Sequence, residues 1–272
     1  APSPAPAPVA SVGTYAALPD MPDHAALLAQ VNRQGAQGYA FVSPVVFGSE
    51  TGNLFFQAKA RAASRLVYEV DPNPLTPELL KKRGADGWAF KSFMGGGAMF
   101  VKDDARASKY EYHTEASVTL DLLNEWGQKG YRYLGPAITP SGPMELFMRG
   151  HTAGGGTYAY KAPSLSGSTQ AELLAQLQQQ GEDRQLYVGP MDTDKGNSLF
   201  VTGPMQTKKL EYALKDYNAI RTMTQMVTEL NAMAADGYVY LGAVAFGNNA
   251  FGVYVKGLML PVVQPLSGTI YP

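Results

Sequence analysis

The sequence predicts an α+β protein built from five tandem β-α-β-β repeats of about 50 residues each. Two observations predict it. A pair of aromatic residues one position apart returns along the chain, usually after a glycine, at a spacing that marks an internal repeat. Each copy also follows a stretch of helical periodicity and precedes a short apolar stretch of strand type. The full copies are Gly38-Tyr39-Ala40-Phe41, Gly87-Trp88-Ala89-Phe90, Gly130-Tyr131-Arg132-Tyr133 and Gly237-Tyr238-Val239-Tyr240. Arg184-Gln185-Leu186-Tyr187 is a degenerate copy that keeps one aromatic.

Each unit opens with a predicted strand in which aromatic residues alternate with other residue types. Alternation with a period of two directs successive side chains to opposite faces of a sheet. We therefore expect one set of these side chains to lie in the core and the other set to face outward. The strands contain Thr14-Tyr15, Leu66-Val67-Tyr68-Glu69, Lys109-Tyr110-Glu111-Tyr112, Thr157-Tyr158-Ala159-Tyr160 and Lys209-Leu210-Glu211-Tyr212.

An amphipathic helix follows the first strand of each unit. In the last unit Met226, Leu230 and Met233 form one apolar stripe at i, i+4 and i+7. Helix starts are indicated by Thr76 before Pro77, which gives an N-cap and a proline at the first helical position. Thr169 and Glu172 have the spacing of a capping box.

The predicted helices end at a Gly-x-x-Gly pattern. Glycine adopts the left-handed conformation that ends a helix without a steric clash of its Cβ, and the second glycine then leads into the aromatic strand. The fourth unit keeps only Gly181, and the fifth has Ala234 and Gly237. The complete pairs are Gly35/Gly38, Gly84/Gly87 and Gly127/Gly130.

A third strand closes each unit after the aromatic strand and a turn. One helix cannot cover both faces of a three-stranded sheet, so neighbouring units are expected to share a core. Residues 1–11 form a Pro/Ala-rich tether, and a C-terminal tail spans 258–272. The units are predicted at 12–60, 61–107, 108–155, 156–207 and 208–257.

Composition excludes several classes of protein and site. The chain of 272 residues has a net charge of −1 and no basic excess, which argues against a nucleic-acid partner. No apolar run has the length needed for a transmembrane segment. The absence of cysteine excludes disulfides, thiolate catalysis and thiolate metal sites.

The N-terminal segment favours export. It runs Ala1-Pro2-Ser3-Pro4-Ala5-Pro6-Ala7-Pro8, an extended spacer of the kind that remains after a secretory signal is cleaved at a small residue. We expect a periplasmic or extracellular protein. A chain trimmed at this point by other means would begin in the same way.

The units resemble a small bacterial family, the domain of unknown function 4177. The resemblance is carried by a Tyr-Glu-Tyr strand, a helix, Gly-Trp or Gly-Tyr, and a hairpin ending in Phe-Val-Lys, and it covers about 240 residues as five copies. It implies a fold element and no established activity, so it assigns no functional residues. The residues that match best are Lys109-Tyr110-Glu111-Tyr112, Leu122-Leu123-Asn124-Glu125, Gly130-Tyr131, Gly87-Trp88 and Phe100-Val101-Lys102.

The five-unit layout is also similar to the five-bladed α/β propeller of the pentein superfamily, whose unit is a permutation of the same elements. Catalytic penteins use a cysteine nucleophile, and this chain has none. A closed, five-fold pseudo-symmetric α/β propeller is therefore one predicted arrangement, without the catalytic function. An open row or a two-lobed stack of units is the rival arrangement.

Residues that could carry metal chemistry do not form a convincing pattern. His24, His113 and His151 lie in three different units and share no metal-ligand spacing. Asp192 and Asp194 stand at positions one and three of a potential calcium loop, but position twelve lacks the required glutamate. We interpret this segment, and Gly48-Ser49-Glu50-Thr51-Gly52-Asn53 in the first unit, as hairpin turns ending in Gly-Asn.

Other catalytic signatures are also missing from the sequence. Gly95-Gly96-Gly97 and Gly154-Gly155-Gly156 lack the ending of a phosphate-binding loop and are predicted to be turns between strands. No serine has the surroundings of a nucleophile elbow, and Ser166-Gly167-Ser168 precedes a helix as ordinary capping. Asp103-Asp104 and Glu182-Asp183 lie at the ends of elements. We therefore assign no catalytic, cofactor-binding or metal residue and predict no cofactor.

These observations favour a non-enzymatic repeat protein that acts as a protein-binding or scaffold subunit of a larger assembly. Its partner is expected to be another protein or further copies of the chain. An alternative is a glycan- or cell-wall-binding protein that uses exposed aromatics such as Trp88, and a third is an enzyme with an unrecognised site in a central cavity. The residues of the structural repeat motif are Gly38, Tyr39, Gly87, Trp88, Gly130, Tyr131, Tyr187, Gly237 and Tyr238.

Overall fold

A computed structural model describes residues 11–139, 142–150, 156–192, 197–204 and 206–259. Within these residues the chain forms a mixed α+β structure with five α-helices and fifteen strands. The predicted tether at 1–11 lies almost wholly outside the described residues. His151, most of the second glycine run, Asp194 and residues 260–272 of the predicted tail lie outside them too.

The elements follow the order strand, helix, strand, strand in every unit. The helices are α1 (His24–Gly35), α2 (Pro77–Ala85), α3 (Leu120–Gln128), α4 (Gln170–Glu182) and α5 (Met223–Ala235). The strands of the first three units are β1 (Gly13–Pro19), β2 (Ala40–Phe47), β3 (Glu50–Ala58), β4 (Leu66–Asp71), β5 (Ala89–Met94), β6 (Gly97–Asp103), β7 (Tyr110–Glu115), β8 (Arg132–Thr139) and β9 (Gly142–Gly150). Those of the last two are β10 (Ala159–Lys161), β11 (Leu186–Asp192), β12 (Asn197–Thr202), β13 (Glu211–Asp216), β14 (Tyr238–Phe246) and β15 (Asn249–Lys256).

The strands form five separate three-stranded antiparallel sheets, each taken from one predicted unit. The third strand of the unit lies in the middle, between the first and the second strand. Within the described residues no strand joins one sheet to another, so neither outer strand of a sheet pairs with a further strand.

The second strand of each unit contains a register shift immediately after the second aromatic of the motif. In β5, for example, Phe90 pairs with Phe100 and Ser92 pairs with Met99, so that Lys91 is the extra residue. Such a bulge bends the strand and increases its twist. The extra residues are Val42, Lys91, Leu134, Val188 and Leu241.

The helix starts agree with the sequence prediction. Thr76 caps α2 by accepting a hydrogen bond from the backbone N–H of Leu79, and Pro77 occupies the first turn. Thr169 and Glu172 form a complete capping box at the start of α4. The remaining helices begin after Asp23, Thr119 and Thr222, whose side chains also accept from a backbone N–H of the first turn.

The helix ends correct the interpretation of the first glycine. The left-handed residue is the second glycine of the pattern, with a φ of 85° at Gly38, and in the fourth unit it is Arg184 with a φ of 61°. The first glycine lies in the last turn and is needed for space. A Cβ on Gly35 would stand 2.1 Å from the Leu66 carbonyl oxygen of the next unit, and Gly84, Gly127 and Gly181 make the same approach.

The predicted hairpin turn of the first unit is placed wrongly. The chain turns at Gly48 and Ser49, whereas Asn53 lies inside β3, fully buried, and donates a hydrogen bond to the Gln30 side chain. The Gly-Asn pair therefore belongs to a strand. The turn predicted at Gly95 and Gly96 is found between β5 and β6.

Neighbouring units share their cores. Each helix packs on the first strand of the following unit, as α1 does on β4, and α5 packs in the same way on β1. The buried clusters accordingly combine residues of two or more units, for example Phe41 and Phe55 with Tyr68 and Met99. One cluster brings Tyr15 and Leu54 of the first unit together with residues of the fifth.

Candidate functional site

A tyrosine hydroxyl joins each unit to the next. The tyrosine lies on the first strand of the following unit, and its hydroxyl oxygen accepts a hydrogen bond from the backbone N–H of the motif's second aromatic residue. Burial raises the pKa of these hydroxyls, which keeps them neutral. The acceptor and donor residues are Tyr68 and Phe41, Tyr112 and Phe90, Tyr160 and Tyr133, Tyr212 and Tyr187, and Tyr15 and Tyr240.

A helix side chain makes a second link at the same junctions. The Asn32 side chain donates to the carbonyl oxygen of Tyr68 and accepts from its N–H, at 3.0 and 2.8 Å. Asn124, Gln178 and Asn231 hold Tyr160, Tyr212 and Tyr15 in this way. At the junction of the second and third units the equivalent position holds Lys81.

These contacts show that the two aromatics of the motif have different roles. The second one belongs to the junction and is buried in Phe41, Phe90 and Tyr240. The first one is half-buried at the end of the unit where the helix stops. We use the name motif surface for these first aromatics and the cations of the neighbouring third strands: Tyr39, Trp88, Tyr131, Tyr238, Lys102, Arg149 and Lys256.

Tyr187 does not belong to the motif surface. It occupies the position of the second aromatic, and Gln185, which is buried, occupies that of the first. The fourth unit therefore interrupts the motif surface, and the aromatic residues of the structural repeat motif fall into two structural classes. Gly38, Gly87, Gly130 and Gly237 all have a positive φ and turn the chain into the strand.

The third and fifth units carry a matching group of three side chains. The Tyr131 hydroxyl donates to Glu111 Oε2 at 3.1 Å, while Arg149 pairs with the same carboxylate and lies 4.7 Å from the Tyr131 ring centroid. Burial and the adjacent carboxylate raise the pKa of Tyr131. In the fifth unit Glu211, Tyr238 and Lys256 form the corresponding group.

The second unit has a different arrangement, centred on Arg83 of α2. Arg83 donates to Glu69 and Asp71 at 2.7 and 2.8 Å, and its guanidinium lies 5.7 Å from the Trp88 ring centroid. Although burial opposes it, hydrogen bonds from Asn73 and Arg83 lower the pKa of Asp71. The Lys102 ammonium is also 5.7 Å from that ring centroid.

The other tryptophan, Trp126, is covered on both faces. The His113 ring stacks on it with centroids 3.4 Å apart, and the Lys129 ammonium lies 4.0 Å from its centroid. Both groups cannot occupy the same side at these distances, so they lie on opposite faces. Glu115 ties the cluster together by hydrogen bonds with His113 at 2.6 Å and from the Trp126 indole at 3.0 Å. The bond with His113 contributes most to lowering the pKa of Glu115.

Lys91, the bulge residue of β5, has a buried ammonium group. Its ammonium donates to the backbone carbonyl oxygen of Val42 in the preceding unit at 3.2 Å and lies 5.9 Å from the Phe41 ring centroid. Burial lowers the pKa of Lys91 to about 8. Of the bulge residues, it alone is charged; the other units have valine or leucine there.

The candidate metal residues do not converge in the part of the chain that is described. His24 lies beside the turn at Gly95, and His113 lies in the Trp126 cluster. Asp192 ends β11, and Asp194 falls outside the described ranges. Among the described residues no three His, Cys, Asp or Glu side chains are close enough together to hold a metal ion.

Sequence reasoning missed Lys91 and the junction amides. The amides could have been found, since each stands three positions before the first small residue of the helix-stop pattern. Lys91 had no local signal of burial, because the bulge that turns it inward is visible only from the strand pairing.

Within the described residues, no helix is both long and apolar enough to cross a membrane. No family model matches the chain, and no curated protein and no solved structure matches it either. The likeness to the domain of unknown function 4177 and to penteins therefore stays a prediction from the repeat motif.

Proposed function

We propose that the chain is a non-enzymatic, exported repeat protein that binds a protein partner through the motif surface, as a subunit of a larger assembly. The observation that carries this proposal is the recurrence of a half-buried aromatic at the same end of four units, with a cation beside it in the second, third and fifth. Aromatic residues and arginine are enriched in protein–protein interfaces, where rings supply apolar area and charges set the orientation.

The state of the aromatic rings favours a protein over a glycan. A sugar stacks on an open ring face, but both faces of Trp126 are occupied, and Trp88 has two cations near its ring. The Tyr131 and Tyr238 hydroxyls are already bonded to carboxylates. A glycan would have to displace these contacts, whereas a protein with acidic side chains would add to them.

We further propose that the five units close into a five-fold pseudo-symmetric α/β propeller. Support comes from the junction between the fifth and the first unit, which repeats the contacts of the others. The Tyr15 hydroxyl accepts from Tyr240 N–H at 2.9 Å, and the Asn231 side chain bonds both backbone groups of Tyr15. Closure would set the motif surface around one end of the ring.

The test is capture of partners from the envelope fraction of the source cells by the immobilised full chain, quantified by mass spectrometry. A double variant, Trp88→Ala with Lys102→Ala, removes one aromatic–cation pair. Phe93→Ala is the control, because Phe93 is an exposed aromatic of β5 outside the motif surface. A stoichiometric protein lost by the double variant and kept by the control supports the proposal.

Two outcomes would contradict it. Equal capture by both variants would show that the motif surface is not the interface. Binding to a glycan array, with no protein captured in stoichiometric amount, would favour the glycan alternative. Light scattering of the purified chain identifies the case in which the partner is a second copy of the same chain.

A further inference from the structure

Lys91 has an environment that differs from that of the three described lysines that form ion pairs. Lys129, Lys161 and Lys209 each face a carboxylate. The hydrogen bond of the Lys91 ammonium goes to a neutral carbonyl oxygen, and burial lowers the pKa of this side chain. Leaving a buried ammonium without a counter-charge is costly, so this position favours the neutral amine.

The bulge explains how a lysine reaches this position. Phe90 and Ser92 keep their pairing with β6, and Lys91 is the residue pushed out of the ladder. The same position holds Val42, Leu134, Val188 and Leu241 in the other units, and these aliphatic residues are all half-buried. Lys91 is likewise half-buried as a residue, so part of it stays accessible while its ammonium contacts the neighbouring unit.

We propose that Lys91 is a reactive amine that takes up a small uncharged aldehyde as an imine. This goes beyond the proposed scaffold function and does not depend on the motif surface. A desolvated lysine is the form of this side chain that acts as a nucleophile in proteins. The Phe41 ring beside the nitrogen favours an apolar aldehyde over a charged one.

The step is balanced without an oxidant or a reductant. The lone pair of the neutral Lys91 nitrogen attacks the carbonyl carbon, and a proton passes from the nitrogen to the carbonyl oxygen. Loss of one water molecule then forms the C=N bond. The Val42 carbonyl oxygen, which accepts the hydrogen bond of Lys91, orients the nitrogen and makes Val42 a positioning residue.

The experiment is reductive trapping of the full chain with propanal and cyanoborohydride at pH 7, followed by peptide mass spectrometry. Lys82 and Lys208, both exposed, are the internal controls. A lysine with a pKa near 8 has on the order of one neutral amine in ten at pH 7, far more than an ordinary lysine. Allowing for its lower basicity, we expect Lys91 to be propylated on the order of tenfold faster than either control.

A second reagent tests the role of the site. A bulky sulfonated ester of biotin is expected to label Lys82 and Lys208 but to spare Lys91, because its charge and size exclude it. Propylation of Lys91 no faster than the controls would overturn the proposal, and so would preferential labelling of Lys91 by the bulky ester. Because both arms use the unmodified chain, no folding defect can obscure the result.

Discussion

The two glycines of the Gly-x-x-Gly pattern have different structural roles at the junctions. Gly127 leaves room for the Tyr158 carbonyl oxygen, which would stand 2.3 Å from an added Cβ, whereas Gly130 supplies a φ of 84°. Arg184 shows that a side chain is tolerated at the left-handed position. The close-packing position accepts only small residues: it holds glycine at four junctions and alanine, Ala234, at the fifth.

Gly130→Val is expected to destabilise the chain by about 1–3 kcal/mol, because a β-branched residue is strained in the left-handed conformation. Urea unfolding followed by circular dichroism measures the change. Gly150→Ala is the control, since a Cβ there would meet only ordinary contacts at 3.7 Å. A valine variant as stable as the alanine control would contradict the placement of this helix end.

Glu115→Gln is expected to cost about 1 kcal/mol at pH 7, because the charge that holds His113 is lost while an acceptor for Trp126 remains. Since the pKa of Glu115 is lowered in the folded chain, its carboxylate stabilises the fold above the ordinary value of 4.5. This stabilisation disappears as the pH falls through the lowered pKa.

The unfolding free energies of Glu115→Gln and the parent should therefore converge in acid. Urea titrations at pH 7, 4.5 and 3 measure this. Glu125→Gln removes an exposed carboxylate paired with Lys129 and serves as the control, with an expected change below about 0.5 kcal/mol. A pH-independent difference for Glu115→Gln would rule out the electrostatic explanation.

Among the elements, the second strands have an outer edge with no partner strand and carry residues that prevent edge pairing. Pro44, Pro136 and Pro190 occupy the same place, two positions after the bulge, and all are exposed. Proline has no N–H to offer a further strand. Phe93 stands at this place in β5 and is 44% exposed, and Ala243 stands there in β14, so the second and fifth units lack this protection.

The α2 helix lacks the amide that links the other junctions, and Lys81→Asn is expected to supply it. Gly84 approaches the Tyr110 carbonyl as closely as the other helices approach theirs, so the geometry suits a bond with the Tyr112 backbone. Two new hydrogen bonds should outweigh the lower helix propensity of asparagine and raise stability by about 0.5–1 kcal/mol.

Thermal unfolding compares Lys81→Asn with Lys81→Ala, which removes the lysine without adding an amide. The asparagine variant should have the higher midpoint. An asparagine variant that is no more stable than the alanine variant would show that the α2 junction differs in geometry from the others.

Local signals in the sequence predict the elements well. The cap at Thr76 and the capping box at Thr169 act within one turn of helix, and the aromatic alternation fixes which strand residues share a face. Features that depend on another unit were not predictable, such as the burial of Lys91 or the space left by Gly35. The sequence places Asn53 in a turn because nothing near it in the chain indicates that its side chain is buried against Gln30 of α1.

For the whole molecule, the contact between α5 and β1 decides whether the units behave as a row or as a ring. Asn231→Ala is expected to cost about 1–3 kcal/mol, similar to Asn32→Ala, because each leaves two buried backbone groups of a tyrosine without a partner. Urea unfolding measures both variants. A negligible cost for Asn231→Ala alone would favour an open row.

The same contact has a consequence for synthesis on the ribosome. Tyr15 and Asn231 are 216 residues apart, so the first strand emerges long before the helix that covers it. At typical elongation rates the interval is roughly 10–40 s, during which one apolar face of the first unit has no partner within the chain. A nascent chain stalled before α5 should therefore bind chaperones at its N-terminal unit and release them once translation is complete.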